Sequence, residues 1–388
     1  MVGLLAASCG IIVANIYYTQ PLIGLIGPQV GLSAHAASLI VSLMQFGYTA
    51  GLLLLVPLGD LVENRKLMVA TIAACIPALL LTATARDGTV LLAAAALTGF
   101  TAVAVQMLIP LAAHLTPEAR RGQVVGLVTS GLLAGILFGR PIASIIAALS
   151  SWRMVFFFSA ALMAVLAVLL RVALPRRQPQ GGYHYGTLLG SLITLPVKFP
   201  VLRQRAAYQA AAFGSFTLFW TGVPLYLAQH FGYTQRGIAV FALVGAAGVL
   251  AAPIAGRLAD RGHSNIATAG AMLGIAAAFG LAWLGAVAHS VVVLALAGVA
   301  LDAGVQCSLV VGQRAIYLLQ PELRSRLNGM FMAMFFLGGA TASSVTSTLL
   351  IRGGWGGLCA VGAAVEALAL AYFLAVLIGA GRNSEVQG

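Results

Sequence analysis

Residues 115–126 read Leu115-Thr-Pro-Glu-Ala-Arg-Arg-Gly-Gln-Val-Val-Gly126, and residues 319–329 read Leu319-Gln-Pro-Glu-Leu-Arg-Ser-Arg-Leu-Asn-Gly329. Pro117 and Pro321, Glu118 and Glu322, and Arg120 and Arg324 each stand 204 positions apart. Nearly the same offset relates Asp60 to Asp260 (200) and the turn Gly31-Leu-Ser33 to Gly232-Tyr-Thr234 (201). One short match is chance; several at nearly one offset, each at the same place between apolar runs, mark a duplicated unit. The runs around them are roughly 20 residues long, which is the length of helix that crosses a bilayer core. Candidate spans lie near 3–28, 36–58, 67–85, 89–115, 124–150 and 153–174, then 206–229, 237–255, 266–287, 290–318, 328–351 and 356–379.

Composition points the same way. Of 388 residues 61% are hydrophobic and only 8% charged, with a mean hydropathy of +1.00, where soluble domains carry about a quarter charged. A disordered chain, a disulfide scaffold and a soluble enzyme are excluded. The net charge of +12 sits in short loops between apolar runs, so it speaks of topology and anionic lipid and not of nucleic acid. Cys9, Cys75, Cys307 and Cys359 lie inside apolar runs without metal or disulfide spacing and read as small buried residues. The first apolar run has no basic flank or cleavage pattern and is expected to be retained as a span.

The expected fold is therefore an all-α membrane protein of 12 transmembrane helices in two pseudo-symmetric six-helix bundles, 1–174 and 206–388. Between them lies a basic linker, 175–205, that carries Arg176, Arg177, Lys198, Arg203 and Arg205. With the linker in the cytoplasm, 16 Lys and Arg fall on that side and four on the other, with Arg140 left inside a span. That imbalance puts both termini in the cytoplasm. Six spans return the chain to its starting side, so the repeats are parallel and related by an axis along the membrane normal. Trp152 and Trp355, at the outer ends of spans, are expected to anchor at the interface.

Two parallel six-span repeats joined by a basic linker resemble the major facilitator superfamily, over essentially the whole chain. The most specific local likeness follows span 2, where the family carries a Gly-x-x-x-Asp-Arg-x-Gly-Arg-Arg/Lys signature. The second half keeps it as Gly256-Arg-Leu-Ala-Asp260-Arg261-Gly262, and the first half keeps Asp60 and Arg65. Gly126, Gly135 and Gly139 in span 5 resemble part of a glycine pattern of efflux antiporters, with Arg140 where that pattern has proline. Plain helix packing explains the same glycines. Asn15-Ile-Tyr-Tyr-Thr-Gln-Pro21, with Gly59-Asp60 and Arg324-Ser-Arg-Leu-Asn328, is similar to a bacterial branch of drug- and sugar-efflux-like facilitators. The resemblance implies a monomeric transporter of the bacterial inner membrane without cofactor, which exports a small organic molecule in exchange for protons. Symport and uniport stay open, as does a sensor that binds without translocating.

Three charges fall within spans, where each costs at least about 2.5–3.5 kcal/mol on insertion scales: Arg140, Asp302 and Glu366. At ~1.5 Å per residue, Arg140 and Asp302 lie at similar depths, about 15 and 18 Å from the outer end. In this family their spans come from opposite halves, so they can pair. Asp302 is expected to be the proton-coupling carboxyl and Arg140 its partner. A permanent structural ion pair is one alternative, and direct contact of Arg140 with an anionic substrate is another. Glu366 is a further candidate proton site.

Gln306 and Gln313 share the helical face of Asp302, and Gln106 is the repeat mate of Gln306. The family resemblance places spans 1, 4, 7 and 10 around a central cavity. Asn15, Tyr17, Tyr18, Gln20 and Trp220 complete its candidate lining, and amides with aromatic faces suit a neutral or amphipathic organic substrate. In span 2, Ser38, Ser42, Gln45 and Thr49 share a face suited to a seam between the halves. The clusters Asp60–Arg65, Glu118–Arg120, Asp260–Arg261 and Glu322–Arg324 resemble the charged inner gate of the family. No metal-ligand spacing, hydrolase motif or nucleotide-binding glycine loop is present, so neither an enzyme nor an ATP-driven pump is expected.

The orientation is testable with a membrane-impermeant maleimide. A cysteine replacing Gln178 in the linker should react only in inverted membrane vesicles, and one replacing Ser150 only in right-side-out vesicles; the opposite pattern reverses the topology.

Overall fold

The computed structural model describes residues 1–178, 184–245, 247–248, 251–320 and 323–385. The first half contributes α1 (Val2–Gln29), α2 (Leu39–Asp60), α3 (Asn64–Thr84), α4 (Gly88–His114), α5 (Glu118–Leu149) and α6 (Trp152–Ala173). A linker helix, α7 (Tyr185–Lys198), precedes α8 (Pro200–His230), α9 (Gln235–Gly245), α10 (Ala251–Asp260), α11 (Ser264–Val287), α12 (Val291–Tyr317) and α13 (Arg324–Glu385). Among the described residues there is no strand, and ten helices are long and apolar enough to cross a membrane. The expected single span 237–255 falls across residues 246, 249 and 250, which lie outside the described ones; α9 and α10 flank them.

The apolar stretch of α13, Arg326–Gly379, has 54 residues, about 80 Å at ~1.5 Å per residue and too long for one crossing of a ~30 Å core. It breaks at Gly354 (φ 59°, ψ −165°), a conformation open essentially to glycine alone. Its partners trace a path out and back. Phe331 packs near the linker helix, Ser347 on the far end of α2, Trp355 on α11, and Phe373 on Tyr208 near the start of α8.

Within the first half α1 lies on α5, α2 on α4, and α3 on α4 and α6; in the second, α8 lies on α13 and α12, and α11 on α12 and α13. Gly131, Gly135 and Gly139 of α5 are explained by the first of these pairs, whereas Gly126 has nothing within 4 Å. A side chain on Gly131 would strike the carbonyl of Ala6, and one on Gly135 the backbone of Gly10, so the two helices meet at backbone distance. Gly31 and Gly232, the repeated turn, both take positive φ (70° and 65°), which is why glycine stands at each. Outward faces are apolar instead of charged: on α6, Val165, Val168 and Val172 are exposed while Ser159, Met163 and Leu170 are buried. Such an inside-out pattern needs lipid as its solvent.

The halves meet along two main lines. One joins α2 to α13. The backbone N–H of Ser38 donates to Ser347 Oγ (3.2 Å), that of Ser347 donates back to Ser38 Oγ (3.3 Å), and the hydroxyls of Ser42 and Ser343 lie 3.0 Å apart. Gln45 Nε2 adds a contact to Thr217 Oγ1. These are the hydroxyl and amide residues whose shared face suits a seam. The second line joins α5 to α9.

Two expectations change. The linker is not merely a polar connection: Leu188, Leu192 and Leu195, spaced four and three apart, seat α7 on Leu202, Ile316, Leu327 and Phe331. The Tyr185 hydroxyl also donates to the Leu54 carbonyl (2.7 Å), so α7 touches both halves. Nor are Trp152 and Trp355 interfacial anchors. Both are buried, and their indole N–H groups donate to Gln29 Oε1 (2.9 Å) at the end of α1 and to the Ala282 carbonyl (3.0 Å) within α11.

Gly135→Val should force α1 from α5 at a backbone-to-backbone contact. The expected loss is at least the ~1–3 kcal/mol of ordinary overpacking, read as a lower melting temperature of the detergent-solubilised protein; Gly186→Val, where nothing lies within 4 Å, should leave it unchanged.

Candidate functional site

Arg140 follows Gly139 on α5, and Asp302 occupies the middle of α12. Both are buried, 2% and 4% exposed. The structure brings them together: Arg140 Nη2 lies 3.7 Å from Asp302 Oδ2. The other carboxylate oxygen, Oδ1, accepts the indole N–H of Trp220 at 2.7 Å. The guanidinium stacks on the Trp220 ring (3.8 Å to the centroid) and lies 5.2 Å from the Phe216 ring. Tyr17 meets Phe216 edge-on at 6.4 Å. Three helices thus hold one pair of charges: α5 supplies the cation, α12 the anion, and α8 the aromatic plane that orients both.

The close approach has a backbone cause. A side chain on Gly248 would collide with the β-carbon of Asp302, so glycine there lets the chain between α9 and α10 reach α12. Burial makes the pair costly, and an arrangement with one partner removed is costlier still. Asp302 uses both oxygens, whereas Arg140 Nε and Nη1 are buried without a hydrogen-bond partner. In the low dielectric between helices, a proton on Asp302 or an anion beside Arg140 is the chemistry this arrangement can carry out.

The other expected residues separate into groups. Gln20 is fully buried, and neither end of its amide has a partner. Gln106 is half-buried and donates to the Tyr48 hydroxyl (3.3 Å). Gln306 is half-buried one turn from Asp302. Gln313 Nε2 donates to Asn328 Oδ1 (3.3 Å), which also accepts from the Tyr317 hydroxyl (3.0 Å). Tyr17, Tyr18 and Trp220 are buried. Asn15 stands apart: its amide binds the Ile11 and Ile12 carbonyls and Met163 Sδ, and its oxygen accepts from Ser159. It faces α6 because those partners satisfy every atom of its side chain. Glu366 is fully buried and accepts from Ser215 Oγ (2.9 Å), with Oε2 unpartnered. Ser215 and Trp220 are about 140° apart around α8, so Glu366 does not join the Arg140–Asp302 site.

At the linker end the charges pair differently from the sequence expectation. Asp60 binds Arg326 (3.8 Å), across the two halves, and not Arg65; Asp260 binds Arg314 (3.0 Å), and not Arg261. Arg65 pairs with Glu63 (3.5 Å) and donates to the Arg171 carbonyl. Arg324 donates to the Tyr317 carbonyl (2.9 Å). Glu118, Arg120 and Arg261 are exposed, and Glu322 lies outside the described residues. Asp60 and Asp260 thus pair across helices, whereas Arg65 keeps a sequence neighbour, Glu63. Arg314, Arg326, Asn328 and Tyr48 were missed as site residues. Arg326 and Asn328 lay in the quoted repeat, where a basic residue two beyond Arg324 was the available signal.

Arg140→Met strands the buried Asp302 carboxylate and should lower stability by about 3–5 kcal/mol. Arg140→Met with Asp302→Leu removes both charges and should recover most of that loss. Melting temperatures in detergent test the order; a double variant no more stable than the single one contradicts it.

Comparisons with known proteins bear on the family and the fold. The family model "Major Facilitator Superfamily" matches residues 5–314. The chain is 38% identical over 367 residues to "Putative uncharacterized transporter YgaY" of Escherichia coli (strain K12), covering 94% of this chain and 92% of that protein. It is 34% identical over 366 residues to "Probable transporter SCO4007" of Streptomyces coelicolor, covering 93% and 84%. Among solved structures, a point mutant of the nucleoside transporter NupG superposes with a TM-score of 0.76 at 14% identity, covering 97% of this chain and 99% of that one. The human organic anion transporter MFSD10 does so at 0.68 and 14%, covering 96% and 98%. A family match over most of the length, two relatives above 30% identity and a shared all-helical fold identify the chain as a multi-pass membrane transport protein of the major facilitator superfamily, and not an enzyme.

Proposed function

We propose that this protein moves a small organic molecule by alternating access and couples that movement to protons through Asp302. Twelve spans in two six-helix domains, 1–174 and 206–388, with both termini in the cytoplasm of a bacterial inner membrane, are the frame of this reading. The observation that carries it is the Arg140–Asp302 bridge, buried between helices of opposite halves and held by Trp220. Protonation of Asp302 removes one of the two charges, weakens the bridge and lets the halves part on one side. The substrate lies between the halves, near Tyr17, Gln20, Gln106, Trp220, Gln306 and Gln313. The Asp60–Arg326 pair, with α7 across it, serves as a latch at the cytoplasmic end.

The glycine spacing of α5 resembles that of exporters, and export in exchange for protons by a monomer is the mode it implies. Those glycines also pack α5 on α1, so proton symport is the second reading, favoured by the unpartnered nitrogens of Arg140.

Proteoliposomes with an imposed pH gradient test the coupling over a panel of drugs, sugars and metabolite-like acids. For a transported compound, Asp302→Asn should abolish pH-driven accumulation while exchange at equal pH continues. Unchanged accumulation in the variant removes Asp302 from the coupling.

A further inference from the structure

At the linker end of α8 stands a second cation that no acid answers. Arg205 is half-buried and donates from Nη1 to the hydroxyl oxygen of Thr268 (2.6 Å), near the start of α11. Thr268 in turn donates to the Ser264 carbonyl (2.7 Å). Among the described residues no ion pair includes Arg205, and its other N–H groups meet no acceptor. α11 begins at Ser264 without a side-chain cap, and the N–H groups of Ser264, Asn265 and Ile266 have no backbone acceptor among the described residues. The N-terminus of a helix carries partial positive charge, so a guanidinium beside it is repelled unless an anion lies between them. Two positive elements thus converge where the protein itself supplies no anion.

A buried hydroxyl adds to them. Tyr208 is 4% exposed, its hydroxyl has no hydrogen-bond partner, and it lies within electrostatic reach of the Arg205 guanidinium and of Tyr372. The guanidinium stands 6.0 Å from the Tyr208 ring. Tyr372 (5.6 Å) and Phe373 (5.7 Å) of α13 hold that ring edge-on, and Met272 of α11 packs in the same cluster. The start of α8, the start of α11 and the far part of α13 therefore meet at one place, where Arg205 and Tyr372 are the members that reach the surface. The surface beside it is apolar: Ile266 and Leu273 of α11 and Leu368 of α13 are 68%, 55% and 71% exposed. Such a wall faces hydrocarbon in a membrane protein.

From this arrangement we infer that Arg205, the Tyr208 hydroxyl and the first turn of α11 bind the phosphodiester of an anionic phospholipid, in the leaflet at the linker end. A phosphodiester brings one negative charge and two terminal oxygens. One oxygen takes the free N–H groups of Arg205, and the other faces the N–H groups at the start of α11. Arg205 is tied only at Thr268, and its rotation toward the phosphate uncovers the Tyr208 hydroxyl as a further donor. A free phosphate meets the same charges but leaves the apolar flank bare. A lipid satisfies both, since its acyl chains lie on Ile266, Leu273 and Leu368. The site is separate from the Arg140–Asp302 bridge: Tyr208 precedes Trp220 by twelve residues, about 18 Å along α8. A lipid held there ties the start of α8, which follows directly on α7, to α11 and α13.

Native mass spectrometry of the whole detergent-solubilised protein counts bound lipids and gives an affinity for the first. The probes are phosphatidylglycerol and phosphatidylcholine with identical chains. Wild type should hold one phosphatidylglycerol about tenfold more tightly than phosphatidylcholine, as a charge-assisted contact implies. Arg205→Gln, which can still donate to Thr268, should bring the two lipids within about twofold of each other. Arg205→Lys keeps the charge without the fork and should fall between the two. Tyr208→Phe should weaken phosphatidylglycerol about threefold and leave phosphatidylcholine unchanged. Arg203→Gln removes an equal charge two residues away, at an exposed position, and should change neither affinity. An equal loss in Arg203→Gln and Arg205→Gln means a diffuse attraction of basic loops for anionic lipid and overturns the site. Equal affinity of wild type for the two lipids does the same. Displacement of phosphatidylglycerol by millimolar glycerol 3-phosphate leaves an anion site but overturns lipid as its occupant.

Discussion

The ion pair between Arg140 and Asp302 is the constraint on which the rest of this molecule turns. A lone charge in the middle of a helical membrane protein is costly, and two such charges from distant parts of the chain are tolerable only when each finds the other. That requirement ties α5 to α12 and recruits Trp220 of α8, whose indole both binds the carboxylate and faces the guanidinium. It also demands small residues nearby. Gly248 lets the backbone approach Asp302, and glycines of α5 press that helix onto α1. In the proposed function this pair holds the halves together while charged and loosens when one charge is removed, the bistability that alternating access needs.

The polar seam elsewhere is of a different kind. Ser38, Ser42, Ser343 and Ser347 join α2 to α13 through reciprocal, uncharged hydrogen bonds. Such bonds exchange partners at modest cost, about 0.6 kcal/mol on average for side chains within membranes. A charged pair at mid-depth and a neutral zipper toward one end differ in what parting them costs: the first strands charges, the second does not. At the linker end, Asp60–Arg326 and the seat of α7 add a third tie between the halves.

Much of the candidate site was legible before any coordinates. Arg140 and Asp302 stood out because charges inside apolar runs demand a partner, and their matching depths named one. The serine and amide face of α2 was legible as a seam from its helical spacing alone. Asn15 was not: an amide near a cavity-lining tyrosine pair looks the same in sequence whether it faces a cavity or, as here, Ser159 and Met163 of α6. The charged ends misled in a related way. Sequence proximity suggested Asp60–Arg65 and Asp260–Arg261, but exposed helix ends reach across to neighbouring helices, and Arg326 and Arg314 are nearer.

Hydropathy, charge placement and the duplicated loop are one-dimensional properties, and the bilayer converts them directly into structure, because an apolar run of about 20 residues has few other places to go. The apolar helical character of the chain and the need of its buried charges for partners were accordingly set by the sequence itself. Which donor meets which acceptor was decided only by the tertiary structure, since that depends on the rotation of each helix about its axis and on which side chain reaches first. Trp152 and Trp355, apparent anchors in the sequence and buried hydrogen-bond donors in the fold, show the difference: hydropathy fixes depth, and packing fixes direction.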